Sequence, residues 1–179
     1  MIGLDRYSYV RCLFCETGKE DRVVDAVHEK QWGHAIFARR VKTVWQNREL
    51  CEEIVPLLPG YVFVYSDRED IPTAHYRRLP HVIRVLSYEN GADRLQGRDL
   101  EFADWLWRQG GMIGVMEAVQ VGDRVEITDD IFKGLNGKIT RMNRGRKNIC
   151  VTLETQNTPM KIYLSYKIVE KTDGAPEPE

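Results

Sequence analysis

The chain has no apolar run near the roughly 20 residues that a membrane-crossing helix needs. Its first residues lack the charged stretch, apolar core and cleavage site of an export signal. A cytoplasmic protein without a membrane partner is expected. Cysteine is scarce: Cys12, Cys15, Cys51 and Cys150 include a single Cys-x-x-Cys, with no second ligand pair to complete a zinc site. A strand through this region points Cys12 and Cys15 to opposite faces, because they lie an odd number of residues apart. No metal and no other cofactor is expected. Catalytic groupings are lacking too. His28, His34, His75 and His81 are scattered, and Glu52-Glu53 face apart on an extended chain. Gly134-x-x-Gly137 has no Lys-Ser/Thr after it, so it is no phosphate loop. No enzyme is expected.

What is present is ordinary in bulk and uneven in distribution. At 179 residues, 42% hydrophobic and 30% charged, the chain fits one large or two small globular domains. The net charge of −1 conceals 16 Lys/Arg against 18 Asp/Glu in residues 1–117, and 10 against 6 in residues 118–171. The tail from 172 has no cation and 3 acids. The carboxy-terminal part is therefore the basic one, a balance compatible with nucleic acid.

Periodicity organises the first part as strand, helix, strand, strand, helix, strand, helix, an α+β arrangement with helices packed on an antiparallel sheet. Tyr7 to Phe14 reads as the first strand. A helix from Thr17 or Gly18 to about Gln31 carries Val23, Ala26, Val27 and Lys30 on one stripe. Ala35 to Thr43 reads as a strand, and Val44 to Ile54, which contains Trp45, as a hairpin or long loop. Val55 to Tyr65 is the most apolar strand, entered through Pro56 and Pro59. Along it Tyr61 and Phe63 share one face and Val62 and Val64 the other. Asp70 is placed to cap a helix with Pro72 in its first turn, Val82 to Leu86 reads as a strand, and Asp99 to Gln109 as a helix. The boundaries expected are a domain over 1–111, a linker over 112–119, a second domain over 120–171 and a disordered tail over 172–179.

The second domain carries the clearest pattern. Val121-Gly122-Asp123-Arg124-Val125-Glu126-Ile127 alternates, with Val121, Val125 and Ile127 on one buried face. Phe132 then precedes Gly134 and Gly137, glycines suited to positive φ or to close approach of another strand. Apolar runs follow at Ile139 to Met142, Ile149 to Leu153 and Met160 to Leu164. Five short strands in about fifty residues suit a small closed barrel, because closure removes exposed edges. Between two of these strands, Arg141-x-x-Arg144-Gly145-Arg146-Lys147 concentrates cations around a glycine tip, with Lys133 and Lys138 at the neighbouring turn. Arg forks and a Lys point charge there can meet several phosphates, so these six residues are the RNA-binding candidates.

The segment from Val121 to Ile139 resembles the KOW motif. Thr158-Pro159-Met160-Lys161-Ile162 and Tyr166 to Lys171 resemble the closing strands of the carboxy-terminal domain of the transcription elongation factor NusG. Upstream, Tyr9-Val10-Arg11 with Gly18-Lys19-Glu20, Leu58-Pro59-Gly60-Tyr61-Val62-Phe63-Val64 and Leu79 to Leu86 are similar in kind, order and spacing to the amino-terminal NusG domain (NGN). The resemblance implies an NGN-like domain joined to an SH3-like five-stranded KOW barrel. It also implies RNA polymerase as partner. The positions matching the apolar depression that receives the polymerase clamp helices are Tyr7, Tyr9, Leu58, Pro59, Tyr61, Phe63, Val82 and Val85. Thr73, His75, Arg77 and Arg78 match the side that approaches the opposite jaw.

One departure from the family pattern matters. Ordinary NusG carries an exposed aromatic before Gly-Arg-x-Thr-Pro, used to dock Rho or the ribosome, whereas this chain has Leu153-Glu154-Thr155-Gln156-Asn157-Thr158-Pro159. The resemblance then implies a specialised LoaP- or RfaH-like paralog, a monomer that promotes processive antitermination while its barrel holds a nascent RNA hairpin. The rivals are a housekeeping NusG coupling polymerase to Rho or the ribosome, and a ribosome-associated KOW RNA-binding protein.

Overall fold

The computed structural model describes residues 7–133, 135, 137–156 and 159–173. Residues 1–6, Gly134, Asn136, Asn157, Thr158 and the tail from Gly174 lie outside the described residues. The chain divides into two compact units, residues 1–39 with 56–112 and residues 40–55 with 113–179. No helix among the described residues is long and apolar enough to cross a membrane.

The chain runs β1 (Tyr9–Cys15), α1 (Glu20–Glu29), β2 (His34–Phe37), β3 (Arg39–Gln46), β4 (Glu49–Pro56), β5 (Tyr61–Ser66), α2 (Thr73–Arg77), β6 (Val82–Val85) and α3 (Gly97–Arg108). In the first unit the sheet has the order β2-β5-β1-β6, antiparallel throughout. The apolar stripe of α1 places Val23 and Val27 against Leu13, Val62, Val64 and Ala35, all fully or nearly fully buried. Each such aliphatic side chain contributes about 1.5–3 kcal/mol by leaving water. The other face lies under α3: Phe63 meets Phe102 with ring centroids 5.8 Å apart, and the Tyr65 hydroxyl donates to the Ala103 carbonyl at 2.6 Å. Covered on both faces, β5 is buried from Val62 to Ser66. The alternation of Tyr61 and Phe63 against Val62 and Val64 is the one its sequence predicts.

Several boundaries differ from those expected. The strand over Ala35 to Thr43 breaks at Ala38, because hydrogen-bond partners change there: β2 pairs with β5, while β3 lies in a second sheet of order β4-β3-β7, where β7 is Met112–Ile113. The expected Val55 to Tyr65 strand is interrupted after Pro56 by a turn through Gly60, which has φ +84°. A Cβ at Gly60 would stand 3.0 Å from the Phe14 ring and 3.1 Å from the Cys15 carbonyl, so only glycine fits there. Asp70 caps no helix. It ion-pairs with Arg68 at 2.7 Å, and α2 starts at Thr73 after an extended Pro72. Residues 112–119, expected to link two domains, carry β7 and the start of β8 (Met116–Val121). Residues 40–55, expected with the first domain, belong to the second unit.

In the second unit β8 is followed by β9 (Arg124–Ile127), β10 (Gly137–Asn143), β11 (Asn148–Leu153) and β12 (Met160–Thr172), in the sheet order β10-β11-β12-β8-β9. β12 is long because it serves two partners: Met160 to Ser165 pair antiparallel with β11, and Tyr166 to Thr172 parallel with β8. The alternation expected from Val121 through Ile127 does not run on one strand. Gly122, at φ +56°, starts a turn that sets Val121 opposite Arg124 and leaves Val121 exposed. Gly137 meets the close-approach expectation, since a Cβ there would lie 2.8 Å from the Leu153 side chain.

Candidate nucleic-acid interface

The structure separates the polymerase candidates by strand face. Tyr61 is half-buried beside Phe14, ring centroids 5.2 Å apart, and the Arg84 guanidinium lies 5.4 Å from the Phe14 ring. Register puts Phe14 between Tyr61 on β5 and Arg84 on β6, so these three form one surface. Pro59 is exposed next to it in sequence. The turn is held from beneath by the buried Glu20 at the start of α1, whose carboxylate accepts the Gly18 N–H at 2.7 Å and the Gly60 N–H at 2.8 Å. Phe63, Leu58 and Val85 are core residues. Val82 is half-buried against the α1 side, and Tyr7 packs edge-on to Trp107 at 4.9 Å.

Tyr9 and Thr73 belong to an internal network on the opposite face from Tyr61. The Tyr9 hydroxyl donates to the Arg68 carbonyl, and the Thr73 hydroxyl donates to the Asp93 carboxylate. Asp93 pairs with the buried Arg11 at 3.1 Å, and that guanidinium lies 4.6 Å from the Tyr9 ring. Arg77 is exposed, one turn beyond Thr73.

Cys12 and Cys15 take opposite faces of β1. Cys12 pairs with Phe63 on the α3 side, and Cys15 joins the α1 core. Burial pushes the Cys15 thiol up to about 11 and the Cys12 thiol higher still. In the native protein a thiol reagent near neutral pH is therefore expected to modify the half-buried Cys51 first, with Cys12, Cys15 and Cys150 protected until denaturant is added. Peptide mapping by mass spectrometry checks this, and early labelling of Cys15 would contradict it.

The cations of the second unit fall into register. Across β10, β11 and β12 the pairs Lys138–Thr152–Lys161, Arg141–Cys150–Tyr163 and Asn143–Asn148–Ser165 share one face. The intervening rows, such as Ile139–Val151–Ile162 and Met142–Ile149–Leu164, share the other. Val151, Ile149, Ile162 and Leu164 are buried while Lys138, Arg141, Lys161 and Tyr163 are exposed, so the first face points outward, although Cys150 and Ser165 on it are buried. A bulge at Thr140 keeps the outward side continuous: Thr140 Oγ1 lies 2.9 Å from Thr152 Oγ1. None of these outward rows contains a carboxylate, and Tyr163 is 50% exposed among the cations.

The face ends at the Arg144-Gly145-Arg146-Lys147 turn. Asn143 Oδ1 accepts the Arg146 N–H at 2.9 Å, and Lys147, at φ +47°, offers its carbonyl to the Tyr166 N–H at 2.9 Å. The tip is thus shaped by one bond to the Asn143 side chain and one backbone bond to β12. Its neighbour in the same unit is the β3–β4 hairpin, closed by Asn47 and Arg48 at φ +50° and +68°. The Thr43 N–H donates to Ser165 Oγ at 3.3 Å. Between hairpin and turn lies a cleft of about 330 Å³ that Arg40, Lys42, Trp45, Leu50, Arg146 and Lys147 help to line. Lys133 belongs to none of these rows and is exposed after the short 3-10 turn Asp130–Phe132.

Of the six candidate cations, register puts Lys138 and Arg141 on this face and the cleft takes Arg146 and Lys147 at its end, together with Lys161, Tyr163, Arg40, Lys42 and Trp45, which the candidate set omits. Arg144 lies in the turn, its charge near Tyr166. Lys161 and Tyr163 were open to inference, since they alternate with Ile162 and Leu164. Nothing local links the hairpin residues to a loop a hundred positions away.

Comparison with known proteins adds the family. The model described as "Transcription termination factor nusG" matches residues 9–101. No curated protein matches the chain. Among solved structures, NusG of Thermotoga maritima is similar at 20% identity, covering 91% of this chain and 96% of that one, with a TM-score of 0.50. Two conformations of the MjSpt4:Spt5 complex match at 16% identity over 86% and 87% of this chain and 91% of that one, with TM-scores of 0.32 and 0.31. With the family model spanning just over half of its residues, the chain belongs to the NusG family of transcription factors.

Proposed function

We propose that this protein is a specialised NusG-type elongation factor, monomeric and non-enzymatic, that binds RNA polymerase and promotes processive antitermination. The polymerase surface in this reading centres on Tyr61, Phe14 and Arg84, with Pro59 at its margin, while Arg77 on α2, on the other face of the sheet, serves the separate side that approaches the opposite jaw. The second unit, closing as a KOW-type barrel, holds a structured nascent RNA. The observation that carries the RNA assignment is the outward face of β10, β11 and β12. It presents Lys138, Arg141 and Lys161 around an exposed Tyr163, without an acid in its rows, and runs into the Arg144 to Lys147 turn. Phosphates can be met along such a face and bases by the ring.

The mechanism is mechanical. A factor bridging the polymerase disfavours paused states only through tighter binding to the processive ones. An RNA element held on one module raises the effective concentration of the other at the polymerase, so selectivity for particular transcripts follows from tethering.

Tyr61→Ala is the direct test of the polymerase surface. Phe63 is unsuited to it, because truncating this core ring costs about 3–5 kcal/mol of stability and confounds the binding measurement. With Tyr61 half-buried at the first position of β5, the variant is expected to stay folded and to lose about 2 kcal/mol of polymerase affinity if the ring is an anchor. Binding of purified polymerase at wild-type strength would remove this surface from the reading. Robust capture of both Rho and the small ribosomal subunit would favour the housekeeping alternative.

A further inference from the structure

We propose that the cleft between the β3–β4 hairpin and the β10–β11 turn is a base pocket, in which the Trp45 indole stacks on one unpaired nucleotide while Lys42, Arg146 and Lys147 hold its flanking phosphates. This deepens the RNA-binding reading and rests on it.

Trp45 is 69% exposed and Leu50 50% exposed, an apolar ring and side chain left in water at the mouth of a cleft. The lining includes Arg40, Lys42, Arg146 and Lys147, and among the described residues that form it none is Asp or Glu. Burial pushes the Arg40 guanidinium below its usual range, the behaviour of a cation that desolvation affects more than any nearby acid. The uncompensated field favours an anionic occupant, and the ring favours a planar one. A nucleotide satisfies both, whereas an acidic peptide answers only the charge. At about 330 Å³ the space lies at the small end of ligand sites, suited to one base and its sugar.

Position selects an unpaired base. The cleft is continuous with the Asn143–Asn148–Ser165 row, the last of the outward face, so a strand tracked along Lys138, Lys161 and Arg141 arrives at it. A base paired and stacked within a helix cannot offer its flat face to an indole, but a nucleotide splayed from a loop or bulge can. Asn148, half-buried in the lining, has an amide able to donate to and accept from a base edge.

The test uses the full chain and two RNA probes, a stem closed by a loop of unpaired adenines and the same stem as a blunt duplex. Wild type is compared with Trp45→Ala and Trp45→Phe in titrations followed by anisotropy and by indole fluorescence. The preference for the looped stem over the duplex is expected to fall about tenfold in Trp45→Ala and to be largely kept in Trp45→Phe. Quenching of the most exposed indole by the looped stem should vanish in both variants. A Trp45→Ala preference equal to that of wild type overturns the pocket and leaves the outward face standing. Wild type that binds neither probe overturns the RNA-binding reading and the pocket with it.

Discussion

Replacing Arg144, Arg146 and Lys147 together with Ala is expected to lower affinity for a structured RNA roughly a hundredfold at about 0.1 M salt. Each neutralised phosphate contributes about 0.7 to 0.9 to the slope of log K against log salt, so three contacts near 0.1 M supply roughly two decades of binding. The three side chains are exposed on a turn whose shape depends on the Asn143 amide and the Lys147 backbone, so truncating them leaves the fold intact. The salt slope of the triple variant should be lower by about two. Titration of wild type and variant at two salt concentrations reads both quantities. A variant as tight as wild type, or wild-type binding insensitive to salt, would reduce the turn to a solvated hairpin tip.

Glu20→Ala should be the most damaging single change at the polymerase surface, although Glu20 lies beneath it. Glu20 is 2% exposed, and its carboxylate satisfies two backbone amides, Gly18 and Gly60, from the first residue of α1. A charged acceptor contributes about 1.5–3 kcal/mol per hydrogen bond, and here its removal strands both donors, so a loss of about 3–5 kcal/mol is expected. For a domain of about 100 residues that is a fall in melting temperature of roughly 15 °C or more. Glu20→Gln keeps one acceptor oxygen and should lose about half as much. The Leu58-Pro59-Gly60-Tyr61 turn is tied down by this carboxylate and by the Cys15 N–H bond to the Gly60 carbonyl at 2.8 Å. Polymerase affinity should therefore fall in step with stability. Thermal melts of the three proteins decide the matter: an Ala variant within a few degrees of wild type would mean that water replaces the carboxylate without loss.

Local pattern sufficed wherever a residue's role depends on its near neighbours. The α1 stripe of Val23 and Val27, the two-faced alternation of Tyr61 to Val64 and the close approach at Gly137 were legible, because helix and strand periods assign faces without reference to the rest of the chain. So was the concentration of cations at Arg144 to Lys147, a property of consecutive residues. Boundaries were less legible where hydrogen-bond partners change. Nothing local distinguishes Ala38 from its neighbours, yet the strand ends there because β2 and β3 serve different sheets. Asp70 offered a capping side chain, but Arg68, two residues back, takes it. Tyr9 and Thr73 matched positions of a binding surface. Their hydroxyls are instead engaged around Arg68 and Asp93, a network that only long-range contact reveals.

The sequence by itself determined the α+β character of the first part, the strand-rich second part, the basic bias of that part and the family pattern, all of which reside in order, spacing and periodicity. Tertiary structure alone decided which cations share a face and what stands beside them. Lys161 and Tyr163 join Lys138 and Arg141 through the register of β10, β11 and β12, and Arg40, Lys42 and Trp45 reach Arg146 only because residues 40–55 fold with the second unit. Register and inter-segment packing are set by the burial of whole faces, which couples residues a hundred positions apart and leaves no trace in any local window.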